Sequence, residues 1–236
     1  MLSMLENPHR FEDSPFLVFY EVTRACDLVC QHCRACAQPR PHPRELFPRQ
    51  SQQLINELAA FPEPPLLVLT GGDPFKRDDL AWLVEAATAT GLRVALTPSA
   101  TPLVTTEALA ELQSAGVRRL ALSLDGPDAA THDSFRGMRG SFARTLRIAS
   151  IVQRLGLPLQ INTTITRTNV NQIDAMAQQV RQLGAVMWSV FFLVPVGRGV
   201  TVQRIAPETY EQVFEQLWHH SQHQPYGIKT TEAPHY

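Results

Sequence analysis

Three cysteines on one short segment are the residues of this sequence best suited to chemistry. Cys26, Cys30 and Cys33 directly follow an apolar, strand-like segment, Phe16–Thr23. Thiolates bind soft metals, and three of them on one loop can hold three corners of a cubane iron–sulfur cluster. A cluster with only three cysteine ligands keeps one iron open for a substrate or a cofactor. The spacing therefore predicts a 4Fe-4S site with these three cysteines as its ligands.

The alternative to a cluster is a zinc site. Cys36 follows closely, and four cysteines at this spacing can supply all the ligands of zinc. Zinc knuckles usually combine two separated ligand pairs, whereas these cysteines form one run behind a strand. A fourth cysteine ligand would also close the cluster, so we expect Cys36 to stay unligated. Two interpretations are open: a reactive three-cysteine cluster, and a non-catalytic protein that holds zinc or a closed cluster.

A second candidate site follows the next apolar segment, Leu66–Thr70. It consists of Gly71, Gly72, Asp73 and Pro74. Paired glycines let a backbone approach a ligand closely and expose its N–H and carbonyl groups. The same residue types are also common in plain turns, so the assignment of this segment to a binding site depends on the cysteines upstream.

Ser123 and Asp125 form a third candidate site, at the end of a later apolar segment. Residues two apart share one face of an extended strand. A hydroxyl and a carboxylate on one face suit a ribose diol, which acidic residues bind in dinucleotide sites. A further strand carries a polar row that indicates a wet cavity or a satisfied network in the core. Its members are Gln160, Asn162 and Thr164.

Strands and helices must bring these residues together. Apolar, β-branched segments predict six strands, and apolar residues at helical spacing predict a helix after each strand. Glycine follows several helices directly, as suits their C-caps. The predicted strands are Leu17–Thr23, Leu66–Thr70, Arg93–Thr97, Arg119–Leu124, Leu159–Ile165 and Met187–Val194, and the predicted helices are Gln50–Phe61, Asp78–Thr90, Glu107–Ala115, Ser141–Leu155, Val170–Leu183 and Pro207–Gln222.

Strands that alternate with helices run parallel, so the sequence predicts an α/β fold around a parallel sheet. Both a doubly wound sheet and a barrel fit this pattern. Composition does not separate the two. In either architecture the active residues lie at the C-terminal ends of the strands, which is where the three candidate sites stand.

The cysteine run, the Gly-Gly-Asp-Pro segment at Gly71 and the Ser-Leu-Asp-Gly segment at Ser123 together resemble the radical S-adenosylmethionine (SAM) superfamily. The resemblance extends from about Leu17 to Gly199. It is strongest to the catalytic core of SPASM-type peptide-modifying enzymes and haem-pathway enzymes. It implies a six-stranded parallel (β/α)6 partial TIM barrel. It also implies SAM as a cofactor beside the 4Fe-4S cluster, chelated through its methionine part by the open iron.

The resemblance further implies an activity. Members of this family use an electron from the cluster to cleave SAM to a 5′-deoxyadenosyl radical. That radical abstracts hydrogen from the substrate, for which we expect a peptide or a tetrapyrrole-like molecule. A flavodoxin or a ferredoxin would supply the electron.

The family pattern also assigns roles around SAM. His32, just before the third cysteine, would lie near the adenine, and Asn162 would line the site. Gly71, Gly72, Asp73 and Pro74 would receive the SAM amino group, although Asp73 stands where glutamate is commoner. By its charge, Arg136 suits a carboxylate of SAM or of the protein, with a helix cap or a surface ion pair as the alternative, and Arg198 suits an anionic substrate. Replacing Asp125 is expected to weaken SAM binding without loss of the cluster.

The composition of the chain argues against several classes of function. The 236 residues are 44% hydrophobic and 18% charged, which predicts a globular protein with a sizeable core. The net charge of −1 and the lack of a basic stripe argue against nucleic-acid binding. No apolar stretch has transmembrane length, and Met1–Asp13 lacks the apolar core of a signal peptide. All four cysteines lie between Cys26 and Cys36, which favours metal over disulfides and predicts a cytoplasmic protein without a membrane partner.

We expect three parts along the chain. Residues 1–15 form an N-terminal extension, residues 16–200 the catalytic core, and residues 201–236 a helix with a tail. That tail is either the end of the protein or the start of a further C-terminal region. Relatives in the resembled family often carry a cysteine-rich extension with auxiliary clusters there, and no cysteine follows Cys36 in this sequence.

Overall fold

Seven parallel strands in sequential order form the frame of the molecule. The computed structural model describes residues 10–202 and 204–232, so residues 1–9 and 233–236 of the predicted terminal parts lie outside the described residues. The strand order is β1-β2-β3-β4-β5-β6-β7. The strands are β1 Leu17–Thr23, β2 Leu66–Gly71, β3 Arg93–Leu96, β4 Val117–Ser123, β5 Leu159–Ile165, β6 Met187–Phe192 and β7 Gly227–Thr231.

The strand order decides between the two predicted architectures. A doubly wound sheet reverses its order at a switch point, whereas this sheet never reverses. Because parallel crossovers are right-handed in nearly all proteins, an unreversed order puts the connecting helices on one face and curls the sheet away from them. Among the described strands, β1 pairs only with β2 and β7 only with β6, so the barrel is open. The predicted partial barrel is thus confirmed.

The prediction of six strands was one short. The missed strand, β7, lies in the part predicted as helix and tail, and it extends the sheet beyond β6. Its sequence, Gly-Ile-Lys-Thr-Thr, has no apolar run or clear alternation that would mark a strand. Pairing with β6, rather than local preference, accounts for its conformation.

Within the described ranges, seven α-helices connect or follow the strands. Six of them match predicted helices, with ends shifted by a few residues. The remaining helix, α4 (Ala129–Arg136), was not predicted, because it is short and carries few apolar residues. The Asp128 carboxylate caps it by accepting from Thr131 N at 2.8 Å, and left-handed Gly137 ends it. The helices are α1 Pro48–Ala59, α2 Leu80–Ala89, α3 Thr106–Ala115, α4 Ala129–Arg136, α5 Ser141–Arg154, α6 Ile173–Gln182 and α7 Pro207–His223.

The two faces of the sheet differ in chemistry. Side chains on the outer face pack into one apolar core with the helices, and its fully buried members include Leu122, Ile161 and Trp188. Each such side chain contributes about 1.5–3 kcal/mol through burial. The alternate residues face the inside of the curl, where Ser123 pairs with Asn162 in register. The polar row predicted on β5 is thus the inner face of the sheet. In the described part of the chain, no helix is long and apolar enough to cross a membrane.

Candidate active site

The cysteine loop follows the C-terminal end of β1, and backbone hydrogen bonds join its beginning to its end. Cys26 N donates to Gln38 O at 2.8 Å, and Gln38 N donates to Arg24 O at 2.9 Å. Cys26 and Cys30 are buried around Leu28. The loop therefore has a defined conformation at its base, with its first two thiols directed into the protein.

Each predicted cluster ligand accepts a hydrogen bond at its sulfur. Ala37 N donates to Cys33 Sγ at 3.3 Å, and Arg136 Nη1 lies 3.6 Å from Cys30 Sγ. Cys26 Sγ lies 3.4 Å from both Leu28 N and Ser99 Oγ. Such donors stabilise thiolate charge and tune the potential of an iron–sulfur cluster. Burial nonetheless raises the pKa of the Cys26 thiol, so the charge of a bound iron would have to favour its thiolate form.

Cys36 differs from the other three cysteines. Its side chain is exposed, its φ is 47°, and no donor to its sulfur occurs among the described residues. The described residues also hold no group of three or more His, Cys, Asp or Glu that would bind a single metal ion. Zinc requires such a group, whereas cubane ligands each bind a different iron and stay further apart. The donor set fits a three-cysteine cluster better than zinc.

The Gly71-Gly72 pair packs against the start of the cysteine loop. A Cβ on Gly71 would lie 2.3 Å from Thr23 O, and one on Gly72 would lie 2.3 Å from Ala25 O. Gly72 N donates to Thr23 O at 2.7 Å. Close approach to the chain that carries Cys26 thus requires these glycines, whatever ligand they also meet.

Gly72→Ala should therefore destabilise the protein by at least about 1–3 kcal/mol, because the new methyl group has no room beside Ala25 O. Chemical unfolding of the cluster-free protein measures this cost. Gly227→Ala is the matched control, since the nearest atom to its Cβ would be 3.9 Å away. If Gly72→Ala loses no more unfolding free energy than Gly227→Ala, the packing role of Gly72 is contradicted.

The Asp73 carboxylate was expected to help receive the SAM amino group, but its oxygens bind the protein. It is fully buried, and it accepts from Phe75 N at 3.2 Å, from Ser99 N at 3.3 Å and from Thr101 Oγ1 at 2.7 Å. Burial raises its pKa. The side chain thus holds the chain after β3, while Gly71 and Gly72 of the predicted segment line a cavity. Pro74, the last residue of that segment, begins a short 3-10 turn.

Asp125 is fully buried at the end of β4 and forms an ion pair. Its Oδ2 lies 2.6 Å from Arg136 Nη2, and its Oδ1 accepts from Thr164 N at 2.8 Å. Burial, the largest single effect, would raise the pKa of this carboxyl, but the charge of Arg136 together with the neighbouring histidines and the hydrogen bond from Thr164 N outweighs burial and lowers the pKa. The ion-paired Oδ2 accepts no well-aligned hydrogen bond from the described residues, but the side chain is fully buried, so direct contact with a ribose, as predicted, would require the site to open around Asp125. Arg136 in turn joins Asp125 to Cys30.

Sequence reasoning missed two residues that support this ion pair. His132 Nδ1 accepts from Asp125 N at 3.1 Å, and burial lowers the pKa of His132 to about 4, so its ring is neutral. Asn169 Nδ2 donates to the Asp125 and Thr164 carbonyl oxygens, each at 2.9 Å. His132 lies on the unpredicted helix α4, whose Asp128 cap was the available signal. Asn169 follows β5 in a polar loop that carried no comparable signal.

His32 lies in the cysteine loop and Asn162 on β5, and each contacts other protein groups. The His32 ring contacts Phe135 at a centroid distance of 4.5 Å, and burial lowers the pKa of His32 to about 4. Its Nδ1 is buried and has no hydrogen-bond partner in the described part of the chain, as suits a residue that binds a ligand. Asn162 Oδ1 accepts from Gln160 Nε2 at 2.8 Å on the inner face.

A cavity brings several predicted residues together beneath the cysteine loop. Leu28, from that loop, forms one wall. The cavity has glycine backbone, hydroxyl groups and a guanidinium around it, a set that suits the polar ends of SAM. These lining residues include Gly71, Gly72, Ser99, Ser123, His132 and Arg136. His32 and Asn162 do not line it.

Arg198, which was expected to reach an anionic substrate, binds the cysteine loop with part of its guanidinium and also lines a second cavity, and among the described residues its Nη2 has no hydrogen-bond partner. Its Nε donates to Cys30 O and its Nη1 to Ala37 O, each at 2.9 Å, and its backbone N donates to Cys33 O at 3.0 Å. Gly197 fits directly against the loop, since a Cβ there would lie 2.5 Å from Cys33 O. Arg198 therefore ties the segment after β6 to the cysteine loop.

Arg198→Gln should lower the iron bound after anaerobic reconstitution and weaken the fold by about 1–3 kcal/mol, because two carbonyl groups lose their donors. Arg34→Gln is the control on the same loop, since Arg34 is 69% exposed and pairs only with exposed Glu21. Iron content and thermal melting measure both effects. Equal iron content and equal melting temperatures of the two variants would show that Arg198 does not hold the loop.

Comparison with known proteins agrees with this geometry. The family model of the radical SAM superfamily matches residues 20–180. An AdoMet-dependent heme synthase of Oleidesulfovibrio alaskensis is 40% identical over 97% of this chain and 60% of its own length. A mycofactocin maturase of Mycolicibacterium smegmatis is 32% identical over 89% of this chain and 52% of its own.

A solved structure shows the same fold. SuiB of Streptococcus suis bound to S-adenosylmethionine superposes with a TM-score of 0.76 at 16% identity, over 93% of this chain and 51% of SuiB. The chain spans 60% of the length of the heme synthase that it matches. The family model covers most of the chain, including the cysteine loop and both strand-end segments. The chain therefore belongs to the radical SAM superfamily.

Proposed function

We propose that this chain is the catalytic core of an enzyme that cleaves SAM reductively and abstracts hydrogen from an organic substrate. The observation that carries the proposal is the cysteine loop, in which three thiols accept hydrogen bonds while Cys36 stands exposed. Cys26, Cys30 and Cys33 would hold the 4Fe-4S cluster and leave one iron open. When bound, the cluster supplies the electron that splits SAM into methionine and a 5′-deoxyadenosyl radical.

The chain's own groups would hold SAM in the cavity beneath the loop. The Gly71-Gly72 backbone offers carbonyl and N–H groups to the amino end of the methionine part. Arg136 offers its guanidinium to the carboxylate, and Asp125 keeps that guanidinium charged and fixed. Ser123 and Asn162 lie side by side in register on the inner face and offer polar atoms to the ribose.

His32 would complete the site at the adenine. Its neutral ring packs on Phe135, and its unpartnered Nδ1 is free to bind a polar edge. Burial of the ring and of Asp125 excludes water from this side, which would protect a reactive radical from side reactions.

For the substrate, we propose a tetrapyrrole that carries carboxylates. Heme synthases of three organisms match the chain at 38–40% identity, and the Fe-coproporphyrin III synthase of Methanosarcina barkeri matches at 33%. A peptide is the second candidate, supported by the mycofactocin maturase and by the fold shared with SuiB bound to its precursor peptide SuiA. A cytoplasmic flavodoxin or ferredoxin is the proposed electron donor.

Deuterium transfer tests this proposal. The reconstituted, reduced protein is supplied with SAM and with coproporphyrin III, free or with iron, deuterated in its propionate side chains. Mass spectrometry of the 5′-deoxyadenosine then shows where its hydrogen came from. Deuterium in that product supports abstraction from the tetrapyrrole. Product without deuterium, combined with enrichment from a deuterated peptide, would replace the tetrapyrrole by the second candidate.

A further inference from the structure

The inner face at β6 and β7 carries polar groups that the proposed SAM site does not use. In register, Ser189 stands beside Asn162 on one side and beside Lys229 on the other. Thr231 is two residues beyond Lys229 on the same strand, so its side chain shares that face. A polar row thus runs from the proposed ribose contacts to the last strand of the sheet.

Two hydroxyl groups in this row are buried without a partner. Ser189 is 1% exposed, and neither its Oγ nor Thr231 Oγ1 has a hydrogen-bond partner among residues 10–202 and 204–232. Most buried polar side-chain atoms in proteins are hydrogen-bonded, and an unmatched one costs about 1–3 kcal/mol. Two unmatched hydroxyls that flank Lys229 therefore indicate a place where a ligand supplies the acceptors.

Lys229 supplies a positive charge that would attract such a ligand. Its side chain is exposed, and no carboxylate is paired with it within the described ranges. The facing side chains of β5 and β6 on this surface are uncharged, and Glu21 on β1 is already paired with Arg34 at 3.1 Å. The only other lysine in the sequence, Lys76, forms an ion pair with Asp27 at 2.7 Å. Lys229 is thus a cation on the inner face for which the described residues provide no counter-ion.

We propose that Lys229, Ser189 and Thr231 form a subsite for one carboxylate of the substrate. An ammonium and two hydroxyls match the charge and the acceptor positions of a carboxylate. The subsite lies on the same face as Ser123 and Asn162, so a substrate bound there would extend toward the SAM cavity. The proposal rests on the proposed function and adds the groups that orient its substrate.

Binding of a matched pair of probes tests the subsite. Coproporphyrin III and its tetramethyl ester share one ring system and differ in their carboxylates. Fluorescence titration of the whole chain should show tighter binding of the acid, and Lys229→Gln should reduce that preference about 10-fold, the equivalent of one charge-assisted hydrogen bond. Lys229→Arg should keep most of the preference, and Arg154→Gln, on exposed helix surface, should keep all of it.

Ser189→Ala separates ligand binding from folding. Because Ser189 Oγ has no partner among the described residues, its removal should keep or raise the melting temperature while binding of the acid weakens a few-fold. Wild-type protein that binds neither probe, or that binds both equally, would overturn the subsite. So would an unchanged preference in Lys229→Gln.

The same preparations distinguish this proposal from the proposed function. Substrate-free formation of 5′-deoxyadenosine from SAM should be equal in wild type and Lys229→Gln, because Lys229 is outside the SAM cavity. Loss of the acid preference with intact SAM cleavage supports the subsite. Absence of SAM cleavage in a wild type that still prefers the acid would count against the proposed function alone.

Discussion

Alanine at Cys26, Cys30 or Cys33 is expected to abolish cluster binding, whereas Cys36→Ala should bind iron like the wild type. A cubane held by three thiolates cannot replace a lost ligand from within the loop, because Cys36 points to solvent. Iron and sulfide counting after anaerobic reconstitution measures the result. SAM cleavage should fall to background in the three variants and stay within about two-fold in Cys36→Ala, a difference of about 0.4 kcal/mol.

Cys36→Ala is the internal control of this series, since it also removes one thiol from the same loop. Melting of the cluster-free proteins shows whether the buried positions lost the fold instead of the ligand. Equal loss of iron in all four variants would contradict the three-ligand assignment. So would normal iron binding in Cys30→Ala.

Asp125→Ala is expected to destabilise the protein by about 3–5 kcal/mol, because it leaves the buried Arg136 guanidinium without its carboxylate. SAM affinity should fall as well, since Arg136 loses the group that fixes it. Iron content should stay near that of the wild type. Chemical unfolding of the cluster-free protein and equilibrium binding of SAM to the reconstituted protein measure these effects.

Arg136→Gln shows how Asp125 acts. If the carboxylate works through Arg136, both single variants should weaken SAM binding to a similar degree, and the double variant should be no worse than either. If Asp125 contacts the ribose itself, the two losses should add. Unchanged SAM affinity in Asp125→Ala would remove this residue from the site.

The local sequence pattern predicted the central strands of the sheet but not the strand at its edge. Apolar strands such as Leu159–Ile165 were predicted at their observed bounds, because burial on the outer face imposes a strong pattern. The strand with Lys229 has no such pattern and exists through pairing with β6. Helix α4 was missed for a related reason, since its polar surface hides the two residues, His132 and Phe135, that it buries.

The candidate site was likewise predictable only in part from the sequence. Residue type and spacing identified the cysteines, because three thiols on one loop have few other uses. Spacing did not show which carboxylates were already occupied, since Asp73 and Asp125 bind partners distant in sequence. Nor did it show that Arg198 faces the cysteine loop, because that contact joins residues 168 positions apart.

Formation of 5′-deoxyadenosine tests the central claim most directly. The protein is reconstituted without oxygen, reduced with dithionite, supplied with SAM and analysed by chromatography. We predict 5′-deoxyadenosine from the wild type and from Cys36→Ala, and none from Cys30→Ala. A wild-type protein that carries four irons per chain and yields no 5′-deoxyadenosine, with or without substrate, would contradict the account.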